Sequence, residues 1–260
     1  MVTRETSGRL AVVTNERELI QTEFERAAPT FSERTAGRFD NLDVAGFSGE
    51  AATGTVAEIG VGTGSFLALF EAHAERLVGV DLTFTMLGEA RRRHPRMGLV
   101  AGDGARLPLR SASIDLVTSA QAFHHIREPV PVLMEMRRAA KPDGRVLVVD
   151  QVATERAEEA IAMNDLDLLR DPSHAMCRPP SAFRIMVIAA GLEIESERVV
   201  ESEDRFSRWM TSPEFPEDRI AAVRRFIAER GSETGMEWRP DGEDWLYTRR
   251  RLMLLARRAR

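Results

Sequence analysis

The sequence predicts an α/β fold with a mostly parallel sheet covered by helices, and three observations carry that reading. From residue 55 onward, short β-rich runs alternate with longer stretches of helical periodicity. The first five β-rich runs are apolar almost continuously, as strands buried on both faces are, instead of alternating strictly. The first of them ends in a glycine-rich turn that leads into a helical pattern.

The strands are expected at residues 55–59, 76–80, 98–101, 114–119, 145–150, 193–200 and 249–255. Ahead of them, residues 16–33 carry Leu19, Ile20, Phe24, Ala27, Ala28 and Phe31 at helical spacing, and Pro29 predicts a break. One or two short helices are expected there, as an N-terminal cap over residues 1–45 ahead of a core of residues 46–260. Between the last two strands, 48 residues intervene where a hairpin needs only a few, and 217–229 reads as a helix. The segment 202–244 carries Phe206, Trp209, Met210, Phe215 and Trp238. Such apolar residues need a surface to cover, so a helical lid or an assembly element of a homodimer is expected.

The chain has 260 residues, 43% hydrophobic and 30% charged, which fits one core with an elaboration. Lys141 is the only lysine, so arginine supplies the other 35 cations against 41 acidic residues, for a net charge of −5. A dedicated nucleic-acid binder is basic, so no nucleic-acid partner is expected. Cys177 is the only cysteine and has no internal disulfide partner. No apolar run approaches the ~20 residues of a membrane helix, so no membrane partner is expected. Residues 1–15 show no export signal, and a cytoplasmic location is expected.

In Val56-Ala57-Glu58-Ile59-Gly60-Val61-Gly62-Thr63-Gly64, three alternate glycines stand where a strand turns into a helical pattern over 65–72, and such a turn lets backbone approach a ligand closely. A plain strand-to-helix turn without a ligand is the competing reading. Asp81 ends the second strand 21 residues after Gly60, where a carboxylate accepts from both hydroxyls of a ribose. A dinucleotide turn reads G-x-G-x-x-G, but here the sixth position is Ser65, and Glu58 opposes a pyrophosphate and suits a cationic amino group. In Gly102-Asp103-Gly104-Ala105, a further carboxylate is able to accept from an adenine amino group. A nicotinamide-dependent oxidoreductase is therefore disfavoured.

With these motifs, together with Gly79-Val80-Asp81-Leu82, Met86-Leu87, Leu107-Pro108 and Lys141-Pro142-Asp143-Gly144, residues 20–200 resemble the class I S-adenosylmethionine-dependent methyltransferases. Phe123-His124-His125-Ile126 and Arg170-Asp171-Pro172-Ser173-His174 look most like the branch named for ubiquinone and menaquinone C-methyltransferases. The resemblance implies a Rossmann-like, doubly wound seven-stranded sheet with a reversed last strand. It implies S-adenosyl-L-methionine as cofactor and S-adenosyl-L-homocysteine as product. Gly60, Gly62 and Gly64 would line the methionine part, with Glu58 supporting the loop. Asp81 would bind ribose, Asp103, Gly104 and Ala105 the adenine, and Leu82 and Met86 would pack on its face. Ala120 and Gln121, at the end of the fourth strand, complete the cofactor set. No metal is called for.

Methyl transfer from a sulfonium is an in-line displacement that needs proximity and alignment, with a base where the acceptor is a hydroxyl. Gln121, His124 and His125 follow the fourth strand at the edge where ligands bind in open α/β sheets, and the resemblance orients His125 inward. On the predicted helix 155–170, Asp165 lies among Ile161, Ala162, Leu166, Leu168 and Leu169, which predicts an apolar-side carboxylate, with Asp167 outward. His174 follows in the next loop. The catalytic candidates are His125, Asp165 and His174, joined by Phe31, Gln121 and Trp209 around the substrate. The expected substrate is a small, largely apolar molecule of quinone, polyketide or terpenoid type, methylated on carbon or oxygen. A protein that only binds the cofactor, or uses it in a non-methylating cyclisation, is the alternative.

Overall fold

The computed structural model describes residues 16–210 and 215–259. Residues 1–15, where no export signal is expected, and 211–214 of the predicted insertion lie outside the described residues.

The sheet is built from β1 (Thr55–Ile59), β2 (Arg76–Asp81), β3 (Gly98–Ala101), β4 (Ile114–Ala120), β5 (Ala140–Gln151), β6 (Leu192–Arg205), β7 (Arg239–Asp241) and β8 (Asp244–Arg258). Its order is β3-β2-β1-β4-β5-β8-β6, with β7 paired to β8. The first five strands are parallel, and β8 is reversed, antiparallel to both β5 and β6. The eighth strand, beyond the seven expected, comes from an Asp241-Gly242 turn with φ of +64° at Gly242, a geometry that closes a hairpin without steric cost.

Strand residues of alternating parity feed the two faces of the sheet. On one face Ala57, Val117, Val148 and Leu254 pack against α4 (Pro129–Ala139) and α6 (Pro180–Ala189) through Leu133, Met136, Phe183 and Val187. On the other Val56, Leu116, Leu147 and Met253 meet Phe66, Leu67, Phe70 and Val44 of α2 (Val44–Ser48). The helical pattern at 65–72 tightens to one 3-10 turn, Leu67–Phe70, whose Leu67 and Phe70 are sealed in this layer. A third apolar cluster joins α5 (Ala157–Arg170), α7 (Phe206–Met210) and α8 (Glu217–Arg230) to Tyr247 of β8, past the carboxyl ends of the parallel strands.

Ahead of the sheet, α1 (Glu16–Arg34) is a single helix, not the broken one expected at Pro29. Proline inside a helix forfeits a hydrogen bond and costs about 3 kcal/mol. Phe24, Ala27, Ala28 and Phe31, packed with Met86 of α3 (Phe84–Arg93), bury an apolar stripe on both sides of the proline, and that burial offsets the loss. No helix among the described residues is long and apolar enough to cross a membrane.

Leu147 has no exposed surface and sits mid-strand between β4 and β8. Leu147→Ala is expected to lower unfolding free energy by about 2–5 kcal/mol through the cavity it leaves. Urea denaturation followed by circular dichroism measures it, and a loss under about 0.5 kcal/mol contradicts the assigned packing.

Candidate active site

The glycine loop is fastened to the end of β2 by its own backbone. Gly60 N–H and Val61 N–H both donate to Val80 O, at 2.8 and 3.1 Å, and Gly62 N–H donates to Asp81 Oδ2 at 2.7 Å. Gly60, Gly62 and Gly64 have φ of +73°, +53° and +84°, the left-handed region that branched side chains avoid. A Cβ on Gly60 would stand 2.8 Å from that of Ala122, whereas one on Gly62 would enter open space with only Phe31 near. The other Asp81 oxygen accepts from Thr83 N–H at 2.8 Å. Burial pushes the Asp81 carboxyl up, opposed by these bonds.

A cavity of about 270 Å³ opens over this loop. Glu58, Gly60, Gly62, Asp81, Leu82, Asp103, Gly104, Ala105, Ala120 and Gln121 all line it. Asp103 accepts from Ala105 N–H at 2.9 Å and is ion-paired with Arg17 of α1, which closes that end. Glu58 is 1% exposed, and its Oε2 has no hydrogen-bond partner. Burial pushes its pKa well up, helped by nearby Asp81. A buried carboxyl that accepts from the Leu67 backbone and keeps one oxygen without a partner beside a cavity fits the amino group of S-adenosylmethionine, and Asp81 beside it fits the ribose. Two of the expected residues do not reach the cavity. Gly64 is turned away, with His94 and Met97 behind it, and Met86 is buried under α1 against Ala27 and Ala28.

A second cavity of about 330 Å³ adjoins the first, and the two share Phe24, Phe31, Thr35, Arg38, Gln121 and His125. His124, His174 and Trp209 line the second cavity alone. Gln121 holds φ of +55°, strained for a residue with a Cβ, and its Nε2 is buried without a partner. His125 Nδ1 lies 3.1 Å from Ser173 O, and since a carbonyl only accepts, that nitrogen carries a proton and Nε2 is the ring nitrogen left to meet a ligand. Ser173 Oγ donates to Asp171 Oδ1 at 2.6 Å. Burial raises the Asp171 carboxyl, but His125, Arg170 and the Ser173 hydrogen bonds outweigh it and hold Asp171 below the usual carboxylate value. His174 Nε2 donates to Asn164 Oδ1 at 2.8 Å.

The His124 ring packs against that of His125, tilted by 43° with ring centres 4.2 Å apart, and its Nδ1 is 2.6 Å from Asp150 Oδ1. Burial, with His125 and His174 beside it, holds the His124 pKa well down. Burial likewise pushes the Asp150 carboxyl up to about 7, against donors from Phe123 and Gln151. Arg178 grips the same turn, donating to Phe123 O and Ile126 O at 3.1 and 2.8 Å.

Asp165 is not in the site. Its side chain is 51% exposed and lies 3.5 Å from Arg230 of α8, whereas Asp167 is 4% exposed and lines the second cavity. Ile161, Leu168 and Leu169, which argued for an apolar face around Asp165, are themselves exposed. The buried stripe runs instead through Ala162, Met163, Leu166 and Asp167. The expected largely apolar enclosure is also only half present. Phe31, Trp209 and Phe215 supply it, but Arg38, Arg170, Arg249 and Arg251 share the walls. The arginines of β8 were missed, although the alternation of strand positions in Tyr247-Thr248-Arg249-Arg250-Arg251 puts Arg249 and Arg251 on one interior face.

The likeness to known proteins points to a methyltransferase that uses S-adenosylmethionine. A model of the methyltransferase domain matches residues 57–148. The methyltransferase YcgJ of Bacillus subtilis is 29% identical over 169 residues, 63% of this chain and 67% of that one. Its crystal structure superposes with a TM-score of 0.74 at 23% identity, covering 80% of this chain and 93% of that one. A demethylmenaquinone methyltransferase of Beutenbergia cavernae is 34% identical over 95 residues, 36% of this chain and 40% of its own length. The phosphoethanolamine N-methyltransferase 2 of Haemonchus contortus, solved with S-adenosyl-L-methionine, shares the fold with a TM-score of 0.65 at 15% identity, covering 96% of this chain and 61% of that one.

Gly62→Val is expected to weaken S-adenosylhomocysteine binding at least about 100-fold, through both the strained φ and the lost space. Calorimetric titration on protein whose circular dichroism is unchanged checks it, and retained affinity removes the loop from the site. Glu58 gives a pH signature. An ammonium group favours its ionised form, so below the raised pKa a bound ligand must expel a proton, and affinity is expected to rise with pH through that range. In Glu58→Gln the rise is expected to shrink to the part that Asp81, also raised by burial, contributes.

Proposed function

We propose that this protein transfers the methyl group of S-adenosylmethionine to a small molecule held in the second cavity, in the cytoplasm. One observation supports this above the others. The cofactor cavity opens into a second chamber of comparable size, and His125 and Gln121 stand in their common wall. When bound, S-adenosylmethionine supplies an electrophilic methyl group on a sulfonium sulfur. The chain supplies the rest. Asp81, Glu58 and the glycine loop fix the donor, and aromatic walls from Phe31, Trp209 and Phe215 enclose an acceptor and exclude water. His125, with its Nδ1–H held by Ser173, presents its Nε2, able in the neutral ring to take the proton of a hydroxyl acceptor. His124 is a positioning residue whose ring packs against it and is anchored by Asp150. The segment 202–244 is read as a lid, since Trp209 and Phe215 belong both to it and to the chamber wall.

The test is incubation with methyl-labelled S-adenosylmethionine and a panel of phenols, hydroquinones and amines. Label in a product together with an equal amount of S-adenosylhomocysteine supports methyl transfer. Cofactor binding with no label transferred to any member favours a binding or cyclising protein. With an acceptor in hand, His125→Ala is expected to lower turnover by about 10²–10⁴ while S-adenosylhomocysteine affinity stays within a few-fold. Asp165→Asn, on the solvent face of α5, is expected to turn over as wild type, and equal rates in both variants would remove His125 from proton transfer.

A further inference from the structure

The second cavity carries more positive charge than its enclosure explains. Arg249 and Arg251 are 9% and 3% exposed, and each has an Nε–H buried without a partner. Both project from β8 at alternate positions and line this cavity, not the cofactor cavity. Arg38 stands in the wall the two cavities share, against the rings of Phe31 and Phe39, and Arg170 lies over Trp209.

Carboxylates share the walls, and Asp171, Asp167 and Asp204 act on Arg170, Arg249 and Arg251, but few of them close an ion pair with these arginines. Among the described residues, no carboxylate lies within ion-pair distance of Arg38, Arg170 or Arg251, and Arg249 has only Asp204, at 3.5 Å. Of the other carboxylates that line the cavity, Glu203 pairs with Arg239, Glu23 with Arg26, Asp171 accepts from Ser173 and Asp167 from Gln151 and Cys177, which leaves Asp40. Burial, followed by repulsion from Arg249, Arg251, Arg34 and Arg170, drives the Arg38 guanidinium well below its usual value. Arg251 is depressed to about 10 by burial and then by Arg249. Burial also lowers Arg249, but Tyr247 and Asp204 outweigh it, so its pKa is raised instead. Arg38 and Arg251, crowded without an ion-pair partner, are expensive to keep unless an anion joins them, and the planar fork of a guanidinium matches the two oxygens of a carboxylate or phosphate.

We propose that the methyl acceptor carries an oxyanion, a carboxylate or a phosphate monoester, which binds between Arg249 and Arg251 with Arg38 at the junction, on an aromatic or otherwise flat body held by Phe31 and Trp209. This rests on the methyl-transfer reading of the site and narrows its substrate class from largely apolar molecules to anionic ones. The methionine carboxylate of the cofactor is not the anion meant here, because the cofactor cavity reaches Arg38 but neither arginine of β8.

The experiment is calorimetric titration of the protein saturated with S-adenosylhomocysteine, using benzoate, phenyl phosphate and the neutral analogue benzamide. At least one anion is expected to bind 10-fold or more tightly than benzamide, about 1.4 kcal/mol. Whichever anion binds more tightly identifies the group as carboxylate or phosphate. Arg249→Gln and Arg251→Gln are each expected to erase that preference in protein that still binds S-adenosylhomocysteine. If either variant fails to fold, the comparison on the wild-type chain decides. Equal binding of all three probes, a preference that survives both substitutions, or no binding of either anion up to about 50 mM overturns the proposal. Failure to bind S-adenosylhomocysteine at all defeats the methyl-transfer reading itself, and so is distinct from failure of the anion site.

Discussion

Asp150, fully buried at the end of β5, accepts hydrogen bonds from Phe123 N–H at 2.6 Å, Gln151 N–H at 2.7 Å and His124 Nδ1 at 2.6 Å. A lone carboxylate in an apolar core is costly, and three donors converging on it relieve that cost and fix what surrounds it. The turn after β4 is held in place by this convergence, with Gln121 N–H donating to Val149 O at 2.8 Å alongside. His124 is held by its ring, His125 by contact with His124 and by Ser173 O, and the carbonyl of His124 in turn anchors the loop at Ala175 and Met176. The wall between the two cavities is thus built on a strand end, a rigid support that flexible loops do not provide.

Two opposite electrostatic demands meet across that wall. On the cofactor side, acidic groups, Glu58 and Asp81, are buried near backbone donors and suit a cationic, hydroxylated ligand. On the far side, arginines and carboxylates line the wall together, and the buried Arg249 and Arg251 each keep an Nε–H without a partner. The two chambers therefore differ in charge across the shared aromatic and histidine partition: buried carboxyls beside the glycine loop on one side, buried guanidinium groups among carboxylates on the other. The insertion after β6 reinforces the division by packing α7 and α8 on α5 and adding Trp209 to the far chamber.

Much of this was legible in the sequence where the signal is local. The glycine loop, Asp81 and the Gly102-Asp103-Gly104 turn announce themselves because strained φ and close backbone approach leave few residue choices. The buried strands did so through continuous apolar runs. The remainder depends on tertiary context. Asp165 and Asp167 are two positions apart on one helix, and exposed Ile161 and Leu168 made the wrong face look like the core side. Pro29 signals a break that burial of α1 overrides. Asp150 and His124 are 26 residues apart, and nothing in the spacing pairs them until β4 and β5 lie side by side. Arg249 and Arg251 resemble a solvated charge run until β6 and β5 enclose β8 on both edges.

Cys177 is 1% exposed beneath the far chamber, with its Sγ near Gln151 Nε2 and Asp167 Oδ2. Burial first, and then the charge of Asp167, pushes its thiol pKa well up, so the nucleophilic thiolate is scarce and shielded in the closed fold. Because it is the chain's only cysteine, an alkylating reagent has one thiol to find, and it finds it when the segment after α5 lifts away. The rate of thiol labelling therefore acts as an intrinsic clock for local opening of the chamber floor, one that needs no engineered probe.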